Sequence, residues 1–288
     1  MAKNDILKLN KQQSDIKKKL KKLQSIQLEI LQYFDTVAKE NDITYYLAFG
    51  TLLGAIRHKG FIPWDTDIDV TLTRDEYEKI IKILRDREEN ESFFVRSSGE
   101  KNHFCTHALL YCKNTELINN NNKRKKIRRE VYIDLFPLDR IPDDDKLWKK
   151  HLQRVTKIAK ATDIKKPVYH KKGRLYKFLK YARSYLYFYI SIEKLFKKFD
   201  KEVQRYNDQK SKRYAQLTSP YRHVPLNTEY FGEPKYVQFE NIMAPIPQNT
   251  KLILEANYGD FMKLPSLEEQ EEQLSKYFEV YDYRDTNE

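Results

Sequence analysis

The sequence predicts an α+β fold: a mixed sheet with flanking helices and a basic helical insert. Three observations carry this. Segments with helical apolar periodicity alternate with short runs rich in β-branched and aromatic residues. Apolar residues make up 40% and aromatics 13% of 288 residues, enough for a packed core and against global disorder. The formal net charge is +12, yet Lys146 to Arg183 alone holds fourteen Lys or Arg and one acid, Asp163. That stretch nets +13 and leaves the rest of the chain near neutral. The expected organisation is a core over 1–142 with an N-terminal helix, the basic insert over 143–213, and a segment over 214–288 that returns to the core.

The elements follow in order. Ile16, Leu20, Leu23, Ile30, Phe34 and Val37 recur at helical steps and predict a helix over 14–40 with one buried face. ITYYLAFG, residues 43–50, reads as a strand, and Thr51 to Arg57 as a short helix. Phe61 to Trp64 is a turn around Pro63. Thr66 to Leu72 alternates and predicts a strand. A helix runs from Thr73-Arg74-Asp75 to about Arg87, with Asp75, Glu76 and Glu78 near its N-terminus, where acids suit the helix dipole. Phe93 to Val95 and Thr106 to Tyr111 are weaker strand signals. Val131 to Phe136 is a strand closed by Pro137. From Asp143-Asp144-Asp145 to about Arg213 the pattern is helical, interrupted at Lys166-Pro167 and Lys172-Gly173. Tyr236 to Met243 suggests a hairpin strand. Leu252 to Tyr258 is a short helix stopped by Gly259.

Composition narrows the setting. Two cysteines, Cys105 and Cys112, give neither a disulfide framework nor a zinc-ligand set. The start, MAKNDILKLNKQQ, lacks the apolar core of a signal peptide, and no apolar run approaches the ~20 residues that cross a bilayer. The expected location is cytoplasmic, with peripheral contact at the inner face of a membrane as an option. KRKKIRR, 123–129, follows NNNN and reads as a basic loop. Such patches attract nucleic acid, anionic lipid or a phosphate-rich polymer, or they are solvated faces. Helix 173–200 sets Leu175, Phe178, Leu179, Leu186 and Phe188 among Lys and Arg, which suits a membrane surface.

The chemistry concentrates in GTLLGAIRHKGFIPWDTDIDV, residues 50–70. Glycine is rationed to seven in the chain, yet Gly50, Gly54 and Gly60 fall together here, followed by Asp65, Asp67 and Asp69. On an extended strand these three acids share one face and Thr66, Ile68 and Val70 the other. Carboxylates this close raise one another's pKa, and a divalent metal with oxygen ligands removes the conflict. The rival is a solvent-exposed acidic edge strand, but aspartate is disfavoured in strands. Gly50 and Thr51, between strand and helix, are placed to hold phosphate, and Arg57, His58 and Lys59 add cationic groups. Phosphate holders beside a carboxylate-bound metal are the parts of phosphoryl transfer. Asp134, between Ile133 and Leu135, is the candidate third carboxylate.

Gly-Thr, then Asp-x-Asp, then a later apolar-Asp-apolar strand resembles the nucleotidyltransferase fold of the DNA polymerase β type. ITYYLAFGTLLGAIRHKGFIPWDTDIDV, TRDEYEKI, YIDLFPLDRIP and YGDFMKLP at 258–265 look like the LicD family, which includes the fukutin-related transferases. The match covers about 24–142 and 235–265. It implies transfer of a phospho-alcohol from a CDP-activated donor to a sugar hydroxyl. In bacterial members this is typically phosphocholine from CDP-choline to a teichoic acid or lipopolysaccharide precursor. It also implies Asp67 and Asp69 as paired metal ligands, Asp134 as the third carboxylate, and Gly50 and Thr51 at the donor phosphates. Mg2+, one or two ions, is the expected cofactor, with Mn2+ as a substitute. The expected acceptor is an anionic, lipid-linked glycan precursor held by the basic insert; nucleic acid is not expected. Asp65 is a same-face candidate. Trp64 could serve a quaternary ammonium, or be a core or turn residue, and His58 is as readily structural as catalytic. Thr66 departs from the family, which usually has Asp there, so a supporting role for that acid is lost. Phosphoribitol or nucleotidyl transfer would use the same residues. A template-independent polymerase fits the charge but not the RHKGFIPWD text, and a non-enzymatic polyanion binder leaves the acids unexplained.

Overall fold

The computed structural model describes residues 3–89, 91–100, 103–119, 127–165, 190–218, 223–274 and 278–284. The architecture is mixed α+β. The chain opens with a helix, α1 (Lys3–Glu40), whose Leu20, Leu23, Ile26, Ile30, Leu31, Phe34 and Val37 are buried as their spacing demands. The predicted strand at 43–50 shrinks to β1 (Tyr46–Leu47), because α2 (Phe49–His58) starts two residues later. β2 (Asp69–Thr73), α3 (Arg74–Arg87) and β3 (Phe93–Arg96) follow. Two long strands, β4 (Ala108–Asn119) and β5 (Ile127–Ile141), form the centre. Then come α4 (Asp145–Lys165), α5 (Ile192–Val203), β6 (Arg213–Ala215), β7 (Leu226–Asn227), the hairpin β8 (Lys235–Phe239) and β9 (Ile242–Ile246), α6 (Thr250–Tyr258), α7 (Leu267–Leu274) and β10 (Phe278–Asp282).

The sheet runs β1-β2-β5-β4. β2 and β5 are parallel, and β1–β2 and β4–β5 antiparallel. The free edge of β4 is shared, β3 pairing along its first half and β10 along its second. A bulge between Cys112 and Leu117 accommodates this: the Thr115 hydroxyl donates to the Cys112 carbonyl at 2.7 Å and accepts from the Val131 N–H at 2.9 Å.

Several expectations are corrected. Pro137 does not close β5. Pairing with β4 ends at Leu135 and pairing with β6 begins at Asp139, so the proline falls where neither strand needs its missing N–H. Ile127 to Arg129, read as loop, begin β5. Helix after Asp145 ends at Val203 rather than near Arg213, and 204–212 are turns. The amphipathic segment at 173–189, the interruptions at 166–167 and 172–173, and 123–126 of the second basic patch lie outside the described residues. α4 and α5 close a small core of their own, with Ile141, Trp148, Val155, Phe199, Val203, Ala215 and Leu217. Among the described residues no helix is long and apolar enough to cross a membrane.

Candidate active site

Four carboxylates come together from two strands and a loop. Asp69 opens β2 and Asp134 lies in β5; they are register partners in the parallel pair, so they stand side by side on neighbouring strands. The strand expected from Thr66 starts only at Asp69, so face alternation does not reach Asp65, Thr66 or Asp67. The reason is α1. Gln24 Nε2 donates to the Asp65 carbonyl at 3.0 Å, and Gln27 Nε2 to the Thr66 carbonyl at 2.9 Å and the Tyr132 carbonyl at 3.3 Å. Carbonyls held by side chains are withdrawn from a strand ladder. The loop nonetheless delivers Asp67 to Asp69 and Asp65. Neither glutamine was singled out in the sequence. The available signal was Gln27 as a polar residue on the apolar face of α1, where it is buried.

The electrostatics agree with crowding. Burial, then the charges of Asp69 and Asp65, a hydrogen bond with Asp65, and Asp134 push the Asp67 carboxyl well above the usual range. Burial, then Asp134 and Asp65, do the same to Asp69. Such a group retains protons above the ordinary carboxylate range unless a cation replaces them. Among the described residues no three His, Cys, Asp or Glu side chains converge tightly enough to ligate one ion as they stand. Three of the four carboxylates already have side-chain partners: Asp67 and Asp65 share a hydrogen bond, and Asp134 Oδ1 meets His107 Nε2 at 2.7 Å.

His107 escaped the sequence reading because it sits 27 residues from its partner, one position before β4. It donates to the carboxylate, and its ring packs 4.2 Å from that of Phe136. Phe136 meets Phe49 edge-on at 5.2 Å, and Phe49 holds a left-handed backbone, φ 43°, at the start of α2. Behind it, His103 Nε2 donates to the His107 carbonyl at 2.8 Å; burial holds His103 down to about 4, so it is neutral and fixed as a donor.

α2 presents an N-terminus that no side chain caps, Ala48 being its N-cap. Gly50 and Thr51 lie in its first turn. The Thr51 hydroxyl accepts from the Asp69 N–H at 2.9 Å, which ties helix to acidic strand and leaves the hydroxyl proton to donate. A Cβ on Gly50 would stand 2.6 Å from Asp65 Oδ2, so glycine is what lets that carboxylate lie against the helix. Gly54 is needed where the Gly60 carbonyl and, at 3.2 Å, the Ile62 nitrogen press on α2.

Beside Gly50 and Asp65 opens a cavity of about 670 Å³. Arg57 and Trp64 line it from one side, and Tyr258, Asp260, Phe261, Lys263 and Glu269 from the C-terminal segment. Arg57 Nη1 donates to the carbonyls of Phe261 at 2.9 Å and Lys263 at 3.4 Å, docking that segment. His58 meets Trp64 edge-on at 6.2 Å, and burial, then the Arg57 charge, lower its pKa, which keeps it neutral at pH 7. Lys59 is exposed at the left-handed C-cap of α2 and does not line the cavity.

Residues 42–169 match the family described as LicD/FKTN/FKRP, nucleotidyltransferase domain. The chain is 29% identical over 265 residues to the lipopolysaccharide cholinephosphotransferase LicD of Haemophilus influenzae, an alignment covering 87% of this chain and 94% of that protein. It is 42% identical over 45 residues to an uncharacterized protein of Rickettsia prowazekii, covering 16% of this chain and 17% of that protein. A similar stretch, 46% identical over 45 residues, matches an uncharacterized protein of Rickettsia typhi, covering 16% and 15%.

Proposed function

The chain carries a LicD family domain, and on that premise we propose that it transfers phosphocholine from CDP-choline to a sugar hydroxyl of a lipopolysaccharide or teichoic acid precursor, on a nucleotidyltransferase-like core. The observation that carries the reading is the convergence of Asp65, Asp67, Asp69 and Asp134 at the uncapped N-terminus of α2, beside a cavity large enough for a donor.

The donor set suits a hard divalent cation: all oxygen, and carboxyls whose mutual repulsion a cation relieves. Asp67, Asp69 and Asp134 would hold Mg2+, one or two ions, or Mn2+. So held, the metal would supply charge neutralisation at the donor diphosphate. The first-turn N–H groups of α2, and the Thr51 hydroxyl beside them, would donate to phosphate oxygens. Asp134, oriented by His107, is the group to accept the acceptor hydroxyl proton. The hydroxyl oxygen then bonds to the choline-bearing phosphorus as that phosphorus parts from the bridging oxygen, which leaves with CMP. Arg57, which lines the cavity, would neutralise charge on the donor phosphates; Lys59 is outside the lining. Exposed Lys146, Lys149, Lys150, Arg154, Lys157 and Lys160 on α4 would attract an anionic, lipid-linked acceptor at a membrane surface.

The test is CMP release from CDP-choline, CDP-ribitol and CDP-glycerol, each with and without Mg2+, in the presence of a glycan precursor. Mg2+-dependent release from CDP-choline is expected, abolished in folded Asp67→Ala and Asp134→Ala. Turnover of another donor alone would move the reading to phosphoribitol-type transfer, and no CMP release from any donor would leave only polyanion binding.

A further inference from the structure

Three aromatic residues line the cavity. Trp64 is half-buried in the turn before Asp65, while Tyr258 and Phe261 flank a tight turn at the end of α6. Gly259 makes that turn with φ 67°, and the Phe261 N–H closes it on the Gly259 carbonyl at 2.8 Å. The turn is held to α2 by the Arg57 donations to the Phe261 and Lys263 carbonyls. Trp64, Tyr258 and Phe261, from segments almost 200 residues apart, therefore line one space while packing on the main core, and the turn that brings the last two there is anchored.

Acidic groups outnumber basic ones in this lining. Asp260 and Glu269 join Asp65 in the lining. Two cations line it as well: Arg57, which keeps its charge while it donates to backbone carbonyls, and Lys263, which is exposed. Carboxylates beside ring faces repel a phosphate and attract a cation. A quaternary ammonium cannot donate a hydrogen bond, so it is recognised by ring faces and a negative field rather than by aligned acceptors. A ribitol or glycerol chain, by contrast, needs its hydroxyls paired.

We propose that Trp64, Tyr258 and Phe261, with Asp260, form the subsite for the trimethylammonium head of the donor, so that this wall selects the alcohol transferred. Gly50 and Asp65 join it to the acidic cluster. A donor would then lie with its diphosphate at the α2 N-terminus and its choline end in the cavity. The assignment rests on the phosphocholine reading, and it has a readout that does not depend on turnover.

Phosphocholine and CMP are titrated separately into the full-length protein by calorimetry. Trp64→Leu, Phe261→Leu and Asp260→Asn are each expected to weaken phosphocholine binding by about tenfold or more, and to leave CMP affinity within about twofold. Trp64→Phe, which keeps a ring, is expected to bind phosphocholine close to wild type, and unchanged thermal unfolding separates lost binding from lost fold. Phosphocholine binding that is absent in the wild type, or equal in wild type and all three variants, overturns the subsite. Weakened CMP binding with unchanged phosphocholine binding also overturns it and gives the wall to the nucleoside. Failure of the parent reading looks different: the wild type releases no CMP from CDP-choline, whatever it binds.

Discussion

At Asp67 a carboxyl is kept in a place that favours its protonated form. Its native pKa is raised, chiefly by burial and then by Asp69 and Asp65, so the native state binds more protons than the unfolded chain above the ordinary carboxylate range. Metal-free stability must then fall as pH rises from that range through the raised value. Metal-free protein is expected to lose melting temperature as pH rises from the ordinary carboxylate range to pH 8. Asp67→Asn should raise the melting temperature at pH 8, flatten that slope, remove most Mg2+-induced stabilisation and abolish CMP release. Thermal scans with and without Mg2+ check all of this, and an Asp67→Asn protein less stable than wild type at pH 8 would count against it. His107 acts through Asp134. His107→Ala is expected to lower CMP release about 10- to 100-fold, as losses of residues supporting a ligand do. His107→Gln, which can still donate, should recover part of it at unchanged KM.

Single elements differ in how readable they were. α1, α3 and α6 announce themselves by apolar spacing, acids in the first turn of α3, and Gly259 after α6. The strands were harder, because pairing rather than local pattern sets their length. β5 runs through Pro137 since its neighbours on that side change there. The segment before Ile68 is a loop since α1 glutamines take the Asp65 and Thr66 carbonyls. α2 depends on a close backbone approach at Gly54, where the Gly60 carbonyl and the Ile62 nitrogen leave no room for a methyl group. Gly54→Ala should cost roughly 1–3 kcal/mol and depress activity by shifting α2 against the acidic loop. Denaturant melts alongside CMP release check it, and a neutral variant would show that α2 can slide freely.

Across the molecule, a buried ion pair joins the sheet to the basic helices. Arg74, first residue of α3, donates through Nε and Nη2 to Asp139 of β5 at 2.8 and 2.7 Å. Asn207 Nδ2 also donates to Asp139, and Arg74 reaches Asp200 of α5 at 3.5 Å. Asp139 is fully buried, so Asp139→Ala strips Arg74 of its two shortest bonds, leaves it only Glu78 and Asp200 at the surface, and should destabilise by up to about 3–5 kcal/mol in chemical melts. On the outer side of that helical unit, α4 exposes six cationic residues while Trp148, His151, Val155 and Thr162 turn inward. Wild-type protein is expected to co-sediment with anionic vesicles at low salt and to release at high salt. A triple Lys149, Lys157 and Lys160→Glu variant should lose most of that binding; retention by the variant, or no binding by the wild type, contradicts a role for α4.

The sequence by itself determined the mixed α+β class, the basic segment, and the glycine-and-aspartate block here proposed to hold phosphate and metal, because periodicity, charge and the scarcity of glycine are written in residue order. It also marked YGDFMKLP without giving it a task. Only the tertiary structure set Asp69 beside Asp134 on parallel strands, brought His107 to Asp134, and made α1 the holder of the acidic loop. It alone brought Tyr258 and Phe261 to the lining of the cavity that Trp64 also lines. These are meetings of residues tens to hundreds of positions apart. Local pattern carries no information about them, since strand register and helix docking are settled by what the whole core can bury together.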